Sequence, residues 1–255
     1  MNEFIYRRNA IAETILASRR NIVRLILAKE ASSNNKTSLV VESAQSKSVK
    51  IERIPRSQIT GKIGNSNHQD MLLEVQSYPY AEIEDMYALS EKDNESPLLL
   101  ILDQLQSPSN FGRLLRSAEA MRAHGVILQK RRTVGITPAV VAASMGASEH
   151  LLITRVTNLA RTITQLQSDN LWVIGLDADT ESNLLSEMDL NRAIAIVIGN
   201  EGTGIRQLIR NKCDALVSIS MLGKIESLNA AIAGSIALYA AREARNQVDR
   251  QTPID

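Results

Sequence analysis

The spacing of apolar positions changes period many times along this chain, and each change marks the border of a short strand or helix. Ile11, Ile15, Leu16, Ile22, Leu25 and Ile26 predict a helix followed by a strand centred on residues 23–27. The stretch 36–51 predicts a short strand, a helix and another strand, and 71–75 predicts one more. Residues 77–96 carry Pro79, the acidic run Glu82, Glu84 and Asp85, and no sustained apolar period, which predicts a linker. Beyond Pro97 the alternation becomes regular. Strands are predicted at 98–102, 126–128, 151–154, 171–175, 193–198 and 215–219. Helices are predicted at 111–123, 138–144, 159–166, 205–212 and 228–243, with Thr137 capping the second of them and Pro138 at its first position. Such alternation predicts an α/β fold whose mostly parallel sheet is covered on both faces.

Composition narrows the class of protein. Residues 1–65 hold twelve lysines and arginines against five glutamates, so the front of the chain favours a polyanion although the net charge is only +1. Aromatic residues make up 3% of the chain, too few for a stacking platform, so contact with RNA would rest on phosphates and shape. The single cysteine, Cys213, excludes an internal disulfide, and its place in a helix-like run predicts a buried thiol. The start of the chain is polar and basic, unlike a signal peptide. The longest apolar region, 228–241, is broken by Asn229, Gly234 and Ser235 and falls short of the roughly 20 residues of a bilayer span. A cytoplasmic protein with no membrane association is expected.

Candidate chemistry is concentrated in three segments, each where a strand-like run gives way to a helix-like one, the place where α/β sheets present loops to ligands. The first holds Asn110, Gly112 and Arg116, where Asn110 could cap the helix and Arg116 could pair with Glu119. The second holds Gly199, Glu201, Gly202 and Gly204. It lacks the spacing of a dinucleotide fingerprint and the Lys-Ser/Thr of a P-loop. Its glycines imply positive φ or close backbone approach, and Glu201 could favour the positive end of the next helix. The third runs from Met221 through Gly223 to Ser227, Leu228 and Asn229, where Ser227 could cap the final helix and Gly223 suggests tight passage of the backbone. The small apolar interior of that helix, from Ala230 to Ala237, predicts burial or close packing against another helix.

In order and content the three segments resemble the SpoU, or TrmH-like, branch of the SPOUT methyltransferases. Its motifs read N-x-G-x-x-x-R, G-x-E-x-x-G and a loop ending in S-L-N, matched by Asn110, Gly112 and Arg116, by Gly199, Glu201 and Gly204, and by Ser227, Leu228 and Asn229. The stretches 144–147 and 156–162 also match, the latter looking like the RlmB-type 23S rRNA guanosine 2'-O-methyltransferases. The front of the chain is similar to that family's substrate-binding domain, of ribosomal protein L30e-like fold, through residues 4–6, 9–11 and His68-Gln69. Arg7 and Asp70 stand where the family has glycines, and Ser220 where it has proline.

The resemblance implies an RNA-binding domain over 1–76, a linker over 77–96, and a SPOUT catalytic domain with a deep trefoil knot over 97–255. It further implies S-adenosyl-L-methionine as methyl donor, no metal, RNA as substrate, and a homodimer. Donor contacts are expected at Leu176, Ile198, Gly199, Gly204, Ile219, Met221, Gly223 and Leu228. Transfer to a ribose 2'-hydroxyl, with guanosine in large-subunit rRNA favoured, is expected to use Arg116, with Asn110, Glu201, Ser227 and Asn229 positioning it and the ribose. Action on tRNA or another rRNA site, an inactive RNA-binding assembly factor, and a dehydrogenase are the competing expectations. The absence of an early glycine fingerprint counts against the last.

Overall fold

The computed structural model describes residues 2–31, 35–64, 66–178 and 183–251. Two compact units emerge, one from Met1–Pro79 with Ile136–His150, the other from Tyr80–Gly135 with Leu151–Asp255.

The first unit begins with β1 (Asn2–Tyr6), α1 (Arg8–Ala17), β2 (Ile22–Ala28), α2 (Asn35–Ser46), β3 (Ile51–Ile54), α3 (Arg56–Ile63) and β4 (Met71–Gln76). Its four-stranded sheet has the order β1-β4-β2-β3, antiparallel except for the parallel pair β2 and β3. Four consecutive residues of β2, Leu25 to Ala28, are buried, as are Met71 to Val75 of β4, apolar throughout except for Glu74, which pairs with Arg24 at 2.6 Å. The strand expected early in 36–51 is instead the first part of α2. Thr37, Val40 and Ala44 are buried at helical spacing, so the adjoining Leu39-Val40-Val41 run belongs to a 3.6 period. Neither β1 nor α3 is signalled by apolar spacing.

The second unit starts with α4 (Ile83–Lys92), inside the stretch read as a linker. The reading without an element there is corrected. Glu82 and Asp85 form a reciprocal capping box, and Ile83, Met86, Tyr87 and Ser90 make one inward stripe whose last member is a buried serine. Then follow β5 (Leu98–Leu102), α5 (Pro108–Ala120), β6 (Gly125–Gln129), α6 (Pro138–Ala143, packed in the first unit), β7 (Ile153–Val156), α7 (Leu159–Ser168), β8 (Trp172–Leu176), β9 (Asn183–Leu184), β10 (Ile194–Ile198), α8 (Gln207–Arg210), β11 (Ala215–Ser218) and α9 (Ala230–Gln251). The seven strands β7-β6-β5-β10-β8-β11-β9 are parallel throughout. β5 and β10 are adjacent, and every residue of both is buried, as expected of strands covered on two faces. α9 packs against α5 closely enough that a Cβ on Gly234 would stand 2.7 Å from Leu114 Cδ1, and Ser117 and Ser235 share a 2.7 Å hydrogen bond across the contact. The opposite face of α9 stays bare, with Ile232, Ile236 and Tyr239 exposed.

Residues 136–150 fold into the first unit by specific interactions. The carboxylate of Glu149 receives Nε and a terminal nitrogen of Arg20 at 2.9 and 3.0 Å with both side chains fully buried, and Arg20 also reaches Glu3 at 2.7 Å. Burial pushes the Glu149 carboxyl upward against the attraction of Arg20. Gly146, at φ +92, lets this segment approach α1 so closely that a Cβ would lie 2.4 Å from the Cβ of Glu13. Among the described residues no helix is long and apolar enough to cross a membrane.

Candidate active site

Three loops leave the carboxyl ends of β8, β10 and β11, which are neighbours in the sheet, and this is the edge where open α/β sheets hold ligands. The loop after β10 closes on itself. Asn200 and Gly204 exchange backbone hydrogen bonds at 3.0 Å in each direction, and the Asn200 carboxamide accepts from Gly202 N at 2.9 Å. The turn needs glycine at two of its three glycine positions. Gly204 has φ +65, and a Cβ on Gly199 would come within 2.1 Å of the Gly204 carbonyl carbon. Gly202 and Gly223 meet neither condition, so the tight passage expected at Gly223 is corrected.

The same loop is clamped at both ends. Asn200 Nδ2 donates to the Gln104 carbonyl at 2.9 Å, while Arg206 donates its backbone N–H and its Nε to fully buried Asp103 at 2.9 and 2.8 Å and a terminal nitrogen to Gln129 at 3.0 Å. Asp103 and Arg206 escape a reading of the sequence by motif. The available signal is an acidic residue directly after the wholly apolar β5, which has to be paired if buried.

The loops enclose a cavity of about 1080 Å³. All eight expected donor contacts line it: Leu176, Ile198, Gly199, Gly204, Ile219, Met221, Gly223 and Leu228. Glu201 and Ser227 line it as well. Hydrogen bonds bring Asn110 and Asn229 to the same place. Asn110 Nδ2 donates to Glu201 Oε1 at 3.0 Å, Asn229 Nδ2 donates to Asn110 Oδ1 at 3.3 Å, and Asn229 Oδ1 accepts from Ala231 N at 3.0 Å. Both ends of each carboxamide are used, which fixes their orientation. Arg116 stands outside the cavity, on the exposed side of α5 six residues beyond Asn110.

The capping alternatives are corrected by this network. Ser107 caps α5 by accepting from Asn110 N at 3.3 Å, which places Asn110 inside the first turn with its side chain turned to Glu201. Asn229, rather than Ser227, caps α9. Glu201 lies before the turn that leads to Arg206 and α8, and so is not at the first turn of that helix. Cys213 is half-buried, its Sγ donates to the Ile209 carbonyl at 3.3 Å, and burial pushes its thiol up to about 12, so it is no nucleophile. Among the described residues no three His, Cys, Asp or Glu side chains are grouped to hold a metal ion.

The cavity suits a nucleoside-bearing ligand of moderate size. Gly199, Gly202, Gly204 and Gly223 bring backbone without side chains to its lining, and Leu176, Ile198, Ile219, Met221 and Leu228 add apolar surface.

Comparison with known proteins gives a consistent result. The model of the SpoU rRNA methylase family matches residues 97–239, and that of RNA 2'-O ribose methyltransferase substrate-binding domains matches residues 4–81. The YacO protein of Bacillus subtilis (strain 168), placed in the TrmH family of tRNA/rRNA methyltransferases, is 39% identical over 247 residues, covering 97% of this chain and 98% of its own. A TrmH family relative from Staphylococcus saprophyticus is 34% identical over 96% of both chains. In fold the chain is similar to the SpoU methyltransferase AviRb from Streptomyces viridochromogenes, solved in complex with AdoMet, with a TM-score of 0.79, 22% identity, and coverage of 96% of this chain and 91% of that one. It is also similar to the AdoMet-bound rRNA methyltransferase from Sinorhizobium meliloti, with a TM-score of 0.76, 21% identity, and coverage of 95% and 87%.

Proposed function

The chain belongs to the SpoU rRNA methylase family, and from that membership we propose that it transfers a methyl group from S-adenosyl-L-methionine to a ribose 2'-hydroxyl of RNA. The observation that carries this reading is the hydrogen-bonded chain Glu201–Asn110–Asn229. It joins one residue from each of three distant segments at the rim of the cavity formed after β8, β10 and β11.

S-adenosyl-L-methionine supplies an electrophilic methyl group on a sulfonium sulfur. The residues that would hold it are the eight cavity residues above, chiefly through main-chain groups, and the glycines at 199 and 204 leave that backbone open. Asn110, Glu201, Ser227 and Asn229 orient the ribose at the rim. Holding reacting groups in line supplies roughly 7–11 kcal/mol of the barrier. Arg116 offers a planar fork of N–H donors and no acceptor, and it clamps an RNA phosphate so that the hydroxyl faces the methyl. The hydroxyl proton leaves late, to water.

The proposal extends to organisation. Residues 1–76 bind RNA and 97–255 carry the chemistry, with the loops after β10 and β11 forming the deep trefoil knot typical of the family. A second copy covers the bare face of α9, where Ile232, Ile236 and Tyr239 recur at helical spacing and Leu222 on the preceding loop is 98% exposed. The RlmB-like stretch 156–162 favours guanosine in large-subunit rRNA as the target, and work on that RNA places the protein in the cytoplasm.

The test is incubation of purified protein with methyl-labelled S-adenosyl-L-methionine and either undermethylated rRNA or tRNA, followed by mapping of 2'-O-methyl positions by resistance to alkaline hydrolysis. One protected ribose in rRNA is expected. Donor binding without label in any RNA would identify a binding factor, and label confined to tRNA would move the target there.

A further inference from the structure

A second cavity, of about 490 Å³, lies wholly within the first unit, where the start of α1 meets the turn before β4 and the end of α6. Its size is that of a small-ligand site, typically about 300–1,000 Å³. Its polar side is formed by Arg7, Arg8, Asn9, Asn67 and Gln69, with two guanidiniums and no carboxylate among the described lining residues. Ala142 and Met145 supply an apolar side.

Three features make this more than a surface dimple. Arg8 Nε is shut off from solvent with no hydrogen-bond partner, an orphan donor in the wall of a cavity. The backbone N–H of Arg8 donates to Gln69 Oε1 at 3.0 Å, which fixes that carboxamide at the cavity wall. Arg7 has φ 73 and ψ 132, a conformation that glycine adopts freely and arginine does not, so a cationic side chain is kept here against the preference of the backbone.

Resting on the RNA methyltransferase reading above, we infer that this cavity takes one unpaired nucleotide of the substrate RNA, with its phosphate on Arg7 and Arg8 and its base between Met145 and the carboxamides of Asn67 and Gln69. Two cations with no carboxylate among the described lining residues select a phosphodiester. Carboxamides both donate and accept, as the polar edge of a base requires, and that edge is open only in unpaired nucleotides. A thioether provides a polarizable surface where the chain has few aromatic residues to offer. A fully paired stem would leave the cavity empty.

The experiment uses the full chain and two fluorescein-labelled RNA hairpins with the same stem, one of them carrying a single bulged nucleotide. The unaltered protein is expected to prefer the bulged hairpin in fluorescence anisotropy. Arg7→Gly and Arg8→Ala should each weaken that binding at least about fivefold, reduce the salt slope by about one and abolish the preference. Calorimetric affinity for S-adenosyl-L-methionine should not change in either variant. Arg7→Gly relieves the backbone as it removes the charge, so it should melt above the unaltered protein, and its weakened RNA binding cannot be misfolding. Equal affinity of the unaltered protein for both hairpins, or unchanged affinity in both variants, overturns the inference while leaving methyl transfer intact. A protein that binds neither S-adenosyl-L-methionine nor RNA overturns it together with the broader reading.

Discussion

The side chains of Asn110 and Glu201, 91 positions apart in the chain, are joined by a 3.0 Å hydrogen bond from carboxamide to carboxylate. That bond orients Asn110 to accept from Asn229, so one interaction aligns the rim of the cavity. Asn110→Ala should lower kcat about 10²-fold, the scale of loss when a reacting group drifts by about 1 Å. Stability should change by less than about 1 kcal/mol, because the site is at the surface. Single-turnover methylation assays beside thermal melts test both parts, and unchanged kcat removes Asn110 from the site.

Gly199→Ala tests the loop itself. The added Cβ meets main chain only 2.1 Å away, so the turn has to open. Overpacking of this kind costs about 1–3 kcal/mol, which corresponds to roughly five- to 150-fold in affinity for S-adenosyl-L-methionine. Gly61→Ala, in α3 of the first unit where an added Cβ meets nothing within 4 Å, should bind the donor like the unaltered protein and serves as the control. Calorimetric titration distinguishes the two.

Glu149→Ala removes the carboxylate that receives both Nε and a terminal nitrogen of the fully buried Arg20, leaving it Glu3 alone of these two partners, and should destabilise the first unit by up to about 3–5 kcal/mol. Replacing both partners, Arg20→Met with Glu149→Leu, should restore most of that loss, since an apolar pair leaves no buried charge. Urea denaturation followed by circular dichroism measures the difference.

Acid should weaken both units through histidine. His68 Nδ1 accepts from Asp70 N at 3.0 Å and its Nε2 bonds to Thr60, while His124 Nδ1 accepts from Leu98 N at 2.9 Å. Each ring must stay neutral at Nδ1 to keep its bond. Burial lowers both from the usual 6.5, in His68 against the attraction of Asp70 and with the aid of Arg56. For His124, Glu95 and Asp93 oppose the shift and Arg245 and Arg242 assist it. A lowered histidine contributes stability that is complete above the unfolded value and fades as pH falls through it toward the folded value. The melting temperature should hold steady above about pH 7 and decline toward about pH 5. His68→Gln with His124→Gln should flatten that decline.

Much of the fold could be read from the sequence because the strands of the second unit are uninterrupted apolar runs such as Leu98–Leu102 and Ile194–Ile198. The site was legible as a set of motifs rather than as geometry: Asn110, Glu201 and Asn229 carry polar side chains at loop borders, but only the folded chain joins them. α4 was hidden because its inward stripe ends in Ser90, whose hydroxyl is satisfied by the Tyr87 carbonyl. Asp103 and Arg206 were hidden because an ion pair between a buried carboxylate and a half-buried arginine has no periodic signature. Arg7 and Asp70, visible in the sequence as departures from the family's glycines, both adopt positive φ, at 73° and 68°. At both positions the backbone takes a conformation that glycine adopts freely.

The assignment of residues 136–150 to the first unit has a consequence for how this protein could be dismantled or inherited. The main chain enters that unit twice, so no single peptide cleavage divides the two units cleanly. A graft or natural fusion that moved only the first 79 residues would leave Glu149 behind and carry Arg20 into its new setting with Glu3 but without its fully buried carboxylate partner. An exchange of the front of this protein therefore has to carry residues 136–150 along with the first 79.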